Sequence, residues 1–413
     1  MSSAAPVQAS QPLQTTAMSP ALIVLVLSLL LGLQPVTTDL YLPSLPALTE
    51  GFGASLVQAQ FTLTALLLAF GLSQLVWGPL SDRYGRRPIL LWGLGTFVVA
   101  SALSALAPNM DWFIGARILQ GAAMGAGVMC ARAIVRDLFR PMDGVRVMSK
   151  GLTGLGMIAC LSAPLGGLLA DWMGWRVAML AVSAFGALTW GLVLLCFTES
   201  LLSPNPQALR PVSLLRTWAA ILRHPTFWAY SALSTTTYCG LFTMLLTSSF
   251  VFIKVLGFAR STYGLIMLTV SMAYIIGTLI CRRLLPRWGV RRTVAIAGGL
   301  TLAGGLLMGG FAFVGLHRGW TIMLPFYLFM LGHGVHQPCS QSGATGPFPY
   351  AAGAASALNG FLMMVGAFAT GLGLGAVMDG TALPLMYGIC FWSVLISLTA
   401  WTLVQRHGQS GDH

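Results

Sequence analysis

The sequence predicts an all-α polytopic membrane protein: twelve transmembrane helices in two six-helix pseudo-symmetric bundles, with both termini cytoplasmic. Three observations carry that expectation. Of 413 residues, 56% are hydrophobic and only 8% charged, about a third of the charged share of a soluble domain. Apolar runs of membrane-crossing length recur twelve times. Basic residues cluster in alternate loops. So few charges cannot cover the exterior of a soluble core, which excludes a soluble enzyme.

The elements follow in chain order. Met1 to Pro20 carries no charge, whereas a secretory leader would have a basic start and a small-residue cleavage site. The apolar run from Ala21 continues through Gln34-Pro35 to Asp39 and Pro43, so a retained first span is expected, with residues 1–19 a disordered cytoplasmic tail. Spans near 20–44, 56–79, 88–107, 112–135, 147–170 and 177–198 make an N-terminal bundle over 20–198. Spans near 226–252, 262–284, 293–316, 319–344, 352–377 and 383–405 make a C-terminal bundle over 225–405. Residues 199–224, with Pro204, Pro206, Pro211 and three arginines, form a central cytoplasmic linker, and 406–413 a cytoplasmic tail.

Orientation follows from the basic residues. With the N-terminus inside, sixteen of them fall in inner loops and four (Arg176, Lys254, Arg260, Arg318) in outer ones. The net charge of +12 therefore reflects topology; no basic face for nucleic acid is expected. Seven cysteines lie singly in apolar segments and read as small buried hydrophobes.

The sharpest motif is Gly78-Pro79-Leu80-Ser81-Asp82-Arg83-Tyr84-Gly85-Arg86-Arg87, between spans 2 and 3. Gly78 and Gly85 permit a tight turn and close helix approach. Asp82 is placed to accept hydrogen bonds from a helix N-terminus or an arginine, making a breakable latch with Arg83, Arg86 and Arg87. A plain basic loop is the blander alternative; the full spacing favours the latch. Arg287-Trp288-Gly289-Val290-Arg291-Arg292 stands at the same place in the second half, with Pro286 in the position of Asp82. Two halves repeated in this way are a transporter architecture with the substrate between them.

Position by position, that loop resembles the signature of the major facilitator superfamily. Span 4 adds Arg117-Ile118-Leu119-Gln120-Gly121-Ala122-Ala123-Met124-Gly125. An arginine inside a span needs an acid, carbonyls or a watery cavity; the run resembles the superfamily's span-4 motif, which implies proton coupling. A structural arginine capping a neighbour's carbonyls is the alternative.

Of ten acids, only Asp39 lies inside a span. At 1.5 Å per residue, Asp39 and Arg117 each stand about 9–11 Å from the outer boundary, so pairing is geometrically possible. Asp39-Leu40-Tyr41-Leu42-Pro43-Ser44-Leu45-Pro46 resembles a run of the Bcr/CflA-type drug:proton antiporters. Arg136-Asp137-Leu138-Phe139, Phe250-Val251-Phe252 and Ala352-Gly353-Ala354-Ala355-Ser356-Ala357-Leu358 agree with that branch. Span 5 carries Gly154, Pro164, Gly166 and Gly167 and looks like the antiporter signature, its small residues packing helices closely and Pro164 kinking one.

The resemblance implies a multidrug exporter of the bacterial inner membrane, not an enzyme. Small amphipathic drugs of chloramphenicol or bicyclomycin type would leave by alternating-access antiport, with Asp39 as proton carrier and Arg117 its coupling partner. Tyr41, Gln120, Met124, Tyr238, Phe242, Asn359, Phe361 and Met363 are the candidate substrate contacts, since aromatic and Met side chains adapt to varied ligands. Substrate, protons and the lipid bilayer are the expected partners of a monomer, with no cofactor beyond the proton gradient and no metal. His333 and His336 lack a third ligand and read as buried hydrogen-bonding groups. Arg132, near the inner end of span 4, is expected to snorkel. The alternative is a proton-coupled transporter of a small metabolite, such as a sugar, amino acid or dipeptide.

Overall fold

The computed structural model describes residues 18–139, 141–206 and 208–408. Most of the tail expected at 1–19, and residues 409–413 of the tail expected at 406–413, lie outside the described residues. The fold is entirely helical: α1 (Pro20–Asp39), α2 (Leu45–Gly51), α3 (Leu56–Tyr84), α4 (Arg86–Ala105), α5 (Met110–Leu138), α6 (Pro141–Trp172) and α7 (Trp175–Cys196) fill the first half. The second half holds α8 (Pro211–Leu222), α9 (Pro225–Ser249), α10 (Arg260–Phe313), α11 (Gly319–Thr345), α12 (Ala352–Val377), α13 (Leu383–Trp401) and α14 (Leu403–His407). Ten helical stretches are long and apolar enough to cross a membrane. Among them α10 counts once, although Gly289 at φ 67° divides it into two arms. Counting both arms, together with α11 and its two prolines and two buried histidines, gives twelve.

The first span differs from a simple rod. Ser19 Oγ caps Leu22 N at 3.2 Å, and Pro20 occupies the first turn, where no N–H is needed. The α-helix stops at Asp39, continues as a 3-10 turn over Leu42–Ser44, and resumes as α2. Pro43 and Pro46 supply no N–H to the ladder, so an unbroken helix cannot run through this stretch. The break places Asp39 at a helix end inside the protein. The linker expected over 199–224 also gains structure, since α8 folds within it and packs on α9 and α12.

Small residues set the helix packing. In the first half α1 packs on α5, α6 and α7, and α3 and α4 on α5; in the second, α9 packs on α11, α12 and α13, and α10 on α11 and α13. Between the halves, α3 meets α12 and α6 meets α10. A Cβ at Gly166 would run into the Leu40 carbonyl, and one at Gly167 would lie 2.5 Å from Arg260 O. A Cβ at Gly264 would lie 2.6 Å from Ala163 O. The Gly-rich stretch of α6 is thus wedged between α1 and α10, where no larger side chain fits.

Candidate functional site

Asp39 ends α1 and is half-buried. Its Oδ1 accepts a 2.7 Å hydrogen bond from Thr38 Oγ1, and among the described residues it makes no ion pair. One turn earlier, Gln34 Nε2 donates to Tyr238 Oη at 3.3 Å. The Tyr238 and Phe242 rings stack 6.5 Å apart. An amide and two aromatic rings therefore meet where α1 faces α9, little more than a turn before the Asp39 carboxyl.

Arg117 faces the other side of α1. Its Nη1 and Nη2 both donate to Thr37 O at 3.2 Å, and Nη1 also donates to Gln120 Oε1 at 2.7 Å. The guanidinium lies 4.4 Å over the Tyr41 ring, a cation–π arrangement favoured out of water. Gln120 Nε2 in turn donates to Ser101 Oγ at 2.7 Å, and Tyr41 Oη pairs with Thr62 Oγ1 at 2.6 Å. Arg117, Gln120 and Tyr41 are fully buried. The possible pairing with Asp39 is not made: the cation caps the carbonyl that the end of α1 leaves open, and the acid is bonded to Thr38 instead. The carbonyl-capping arginine that the sequence left as an alternative is the arrangement found, with Thr37 O as the carbonyl.

The remaining candidates fall in separate places. Asn359 Oδ1 accepts from Ser231 Oγ at 2.9 Å, and Ser234 Oγ lies 3.7 Å from Met363 Sδ, a polar patch where α9 meets α12. Phe361 sits at the contact of the halves, its Cα 3.7 Å from where a Cβ on Gly71 would lie. Met124 is buried in the packing of α5. His333 Nδ1 pairs with Thr237 Oγ1 at 2.9 Å, whereas His336 Nε2 is 3.3 Å from Val294 O, so the two histidines serve different neighbours. Arg132 pairs with Ser356 Oγ across the halves. Cys281 and Cys339 Sγ atoms approach to 3.7 Å as free thiols, a contact that their spacing of 58 residues did not reveal.

The loop between α3 and α4 forms a charged cluster. Gly85 turns the chain at φ 100°. Arg86 Nη1 meets Asp82 Oδ1 at 2.7 Å, and its Nε meets Asp137 Oδ2 at 2.8 Å. Arg136 Nη2 approaches Asp82 Oδ1 at 3.5 Å. Glu199 then joins from beyond α7: its carboxylate accepts Arg86 N at 2.9 Å and Arg87 N at 3.0 Å, capping the positive end of α4. Arg87 Nη2 donates to Leu194 O at 3.0 Å, while Arg83 lies over the Tyr84 ring at 5.4 Å. A Cβ at Gly85 would stand 2.5 Å from Glu199 Oε2, so both φ and space call for glycine. Gly78 faces Met129 at an ordinary contact distance of 3.5 Å. Glu199 escaped the sequence reading because its partners are backbone N–H groups more than a hundred residues away; as the lone acid among the inner arginines that follow α7, it carried a signal.

At the opposite end, the halves are tied together. Lys254 pairs with Glu50, Asp171 Oδ2 accepts Ser261 N at 2.9 Å, and Arg260 Nη1 donates to Ala170 O at 3.0 Å.

The profile of one family, described as Major Facilitator Superfamily, matches residues 27–371. The chain belongs to the Major Facilitator Superfamily. It is 28% identical over 383 residues to the chloramphenicol resistance protein of Pseudomonas aeruginosa, covering 91% of this chain and 89% of that protein. It is also 28% identical over 386 residues to a bicyclomycin resistance protein homolog of Haemophilus influenzae, covering 92% and 94%. The resemblance to the superfamily and its drug-resistance branch, read from the Asp39 and Gly78–Arg87 motifs, is borne out by these matches. Among solved structures, a D-xylose-proton symporter shares the fold of this superfamily member at TM-score 0.75 and 17% identity, covering 95% of this chain and 99% of that one. It is therefore a multi-pass membrane transporter in fold and family.

Proposed function

We propose that the protein exports small amphipathic drugs by proton-driven, alternating-access antiport across a bacterial inner membrane. One observation carries the reading: the lone acid within a span, Asp39, ends a broken helix without an ionic partner among the described residues, little more than a turn beyond the Gln34 amide that meets Tyr238. An unpaired carboxylate in an apolar interior requires a compensating positive charge, either a proton or the cationic part of a substrate. Proton and substrate then compete for one residue, which is the requirement for exchange. The names of the relatives, resistance proteins for chloramphenicol and bicyclomycin, support drugs of that class.

In this reading the chain forms bundles 20–198 and 225–405, its termini and 199–224 linker lie in the cytoplasm, and it works as a monomer without cofactor or metal. Arg117 acts indirectly, holding the carbonyl end of α1 that carries Asp39. The cluster of Asp82, Arg86 and Glu199 is the inner latch, and the ties at Lys254 and Arg260 are the outer one. One proton moving through 100 mV supplies about 2.3 kcal/mol, and about 1.4 kcal/mol corresponds to a tenfold ratio. A single proton therefore sustains a drug gradient of roughly fortyfold.

The test is drug-induced proton release from purified protein in weakly buffered detergent, comparing wild type with Asp39→Asn, using chloramphenicol and a cationic compound. Release by wild type and none by the variant supports antiport through Asp39. Binding without release in both proteins rejects it. The buried polar patch of Ser231, Ser234 and Asn359 favours the second reading, a proton-coupled carrier of a small metabolite, if sugars or amino acids elicit release and drugs do not.

A further inference from the structure

An open groove of about 770 Å³ lies on the side of the second half, between α9, α12 and α13. It lies away from Asp39 and from the contact between the halves, and its volume is that of a drug-sized site. Small residues make the room: a Cβ at Gly373 would meet nothing within 4 Å. Thr235 on α9 and the rings of Tyr387, Phe391 and Trp392 on α13 provide mostly apolar walls. Tyr387 and Phe391 are exposed, so the cavity opens to the surrounding acyl chains.

One charged residue lines it, Asp379, in the loop between α12 and α13. Its Oδ1 accepts Thr381 N at 2.9 Å and Thr381 Oγ1 at 2.6 Å. These hydrogen bonds hold the carboxyl below its ordinary value, so it is an anion at neutral pH. Of the other acids at that end, Glu50 pairs with Lys254 and Asp171 with Arg260, whereas Asp111 in the first turn of α5 makes no ion pair among the described residues. Asp379 makes no ion pair among the described residues.

We propose that this lateral groove binds an amphipathic organic cation, its apolar body between Gly373, Tyr387 and Trp392 and its charge at Asp379. Such a molecule settles in a bilayer with its charge at the headgroups and its body among the chains, which is the arrangement of the groove. An anionic phospholipid fits less well, since its phosphate would meet the Asp379 carboxylate as a like charge; a zwitterionic one, with a cationic nitrogen beyond the phosphate, is the competitor that the brominated-chain outcome below separates. The site is independent of the antiport reading and does not involve Asp39.

The test uses the full chain in phosphatidylcholine nanodiscs, in an Asp39→Asn background that removes the central carboxyl. Tetraphenylphosphonium is the cation and triphenylphosphine oxide the neutral counterpart. Binding is followed as the Trp392 fluorescence change, isolated by difference from a Trp392→Phe protein. Both probes are expected to give a saturable change, and Gly373→Phe, which fills open space, should weaken both at least about tenfold. Asp379→Asn should weaken the cation by about threefold and leave the neutral probe unchanged. Between pH 7 and pH 5 the cation's affinity should stay constant, because Asp379 remains ionised. No saturable Trp392 response, or equal loss of both probes in Asp379→Asn, overturns the proposal. So does quenching of Trp392 by brominated acyl chains that tetraphenylphosphonium fails to relieve, which assigns the groove to lipid. Failure of antiport in the Asp39 experiment leaves all these outcomes readable.

Discussion

Arg117 and Asp39 stand at one depth, yet the fold gives them different work. The guanidinium spends its donors on Thr37 O and Gln120 Oε1, and hydrogen bonds to a charged donor are each worth about 1.5–3 kcal/mol. Arg117→Ala is therefore expected to lower the thermal midpoint in detergent sharply and to abolish transport. Arg117→Lys, a point charge without the planar fork, should keep part of the stability and little of the activity. Equal midpoints for wild type and Arg117→Ala would show that the carbonyl cap is dispensable. Asp39→Asn should behave in the opposite way: the midpoint is retained because the bond from Thr38 persists with an amide oxygen, while coupled proton release is lost.

Helices meet in this protein through their glycines and their ends. At Gly264 a Cβ would lie 2.6 Å from Ala163 O, a backbone atom that cannot swing aside. Gly264→Leu is expected to part α6 from α10, at a cost of about 1–3 kcal/mol. Transport should fall while expression survives, a split read by drug efflux normalised to protein in the membrane. The α3–α4 turn depends on a different interaction, an anion at a helix N-terminus. Glu199→Gln removes that charge from Arg86 N and Arg87 N and should cost about 0.5–2 kcal/mol, measurable as a lower midpoint that high salt reduces further in wild type than in the variant. The second half has Pro286 in place of the acid, and among the described residues Arg287, Arg291 and Arg292 make no ion pair. Among the described residues the charged cluster accordingly belongs to one half alone.

Across the whole molecule, the two ends differ in how the halves are held. Lys254 and Glu50 join α2 to the turn after α9, so opening that end has to separate them. The pair Glu50→Cys and Lys254→Cys, in a Cys196→Ser background, should be joined by a short reversible thiol cross-linker. Transport is expected to stop on cross-linking and to return with reductant. Undiminished transport in the cross-linked protein would place the opening elsewhere.

Membrane class and superfamily were legible in the chain because each rests on local chemistry. Twenty apolar residues cross a bilayer wherever they occur, an arginine or aspartate inside such a run is conspicuous anywhere, and Gly78 to Arg87 is contiguous. The break in the first span was not read, although Pro43 and Pro46 require it. What those residues touch was decided by tertiary structure alone. Arg117 chose the Thr37 carbonyl over the Asp39 carboxylate, Glu199 capped a helix 113 residues before it, and Gly373 opened a groove beneath Asp379, itself a plain loop acid in the sequence. Each of these depends on backbone atoms or on empty space brought together by packing, and neither has a letter in the sequence.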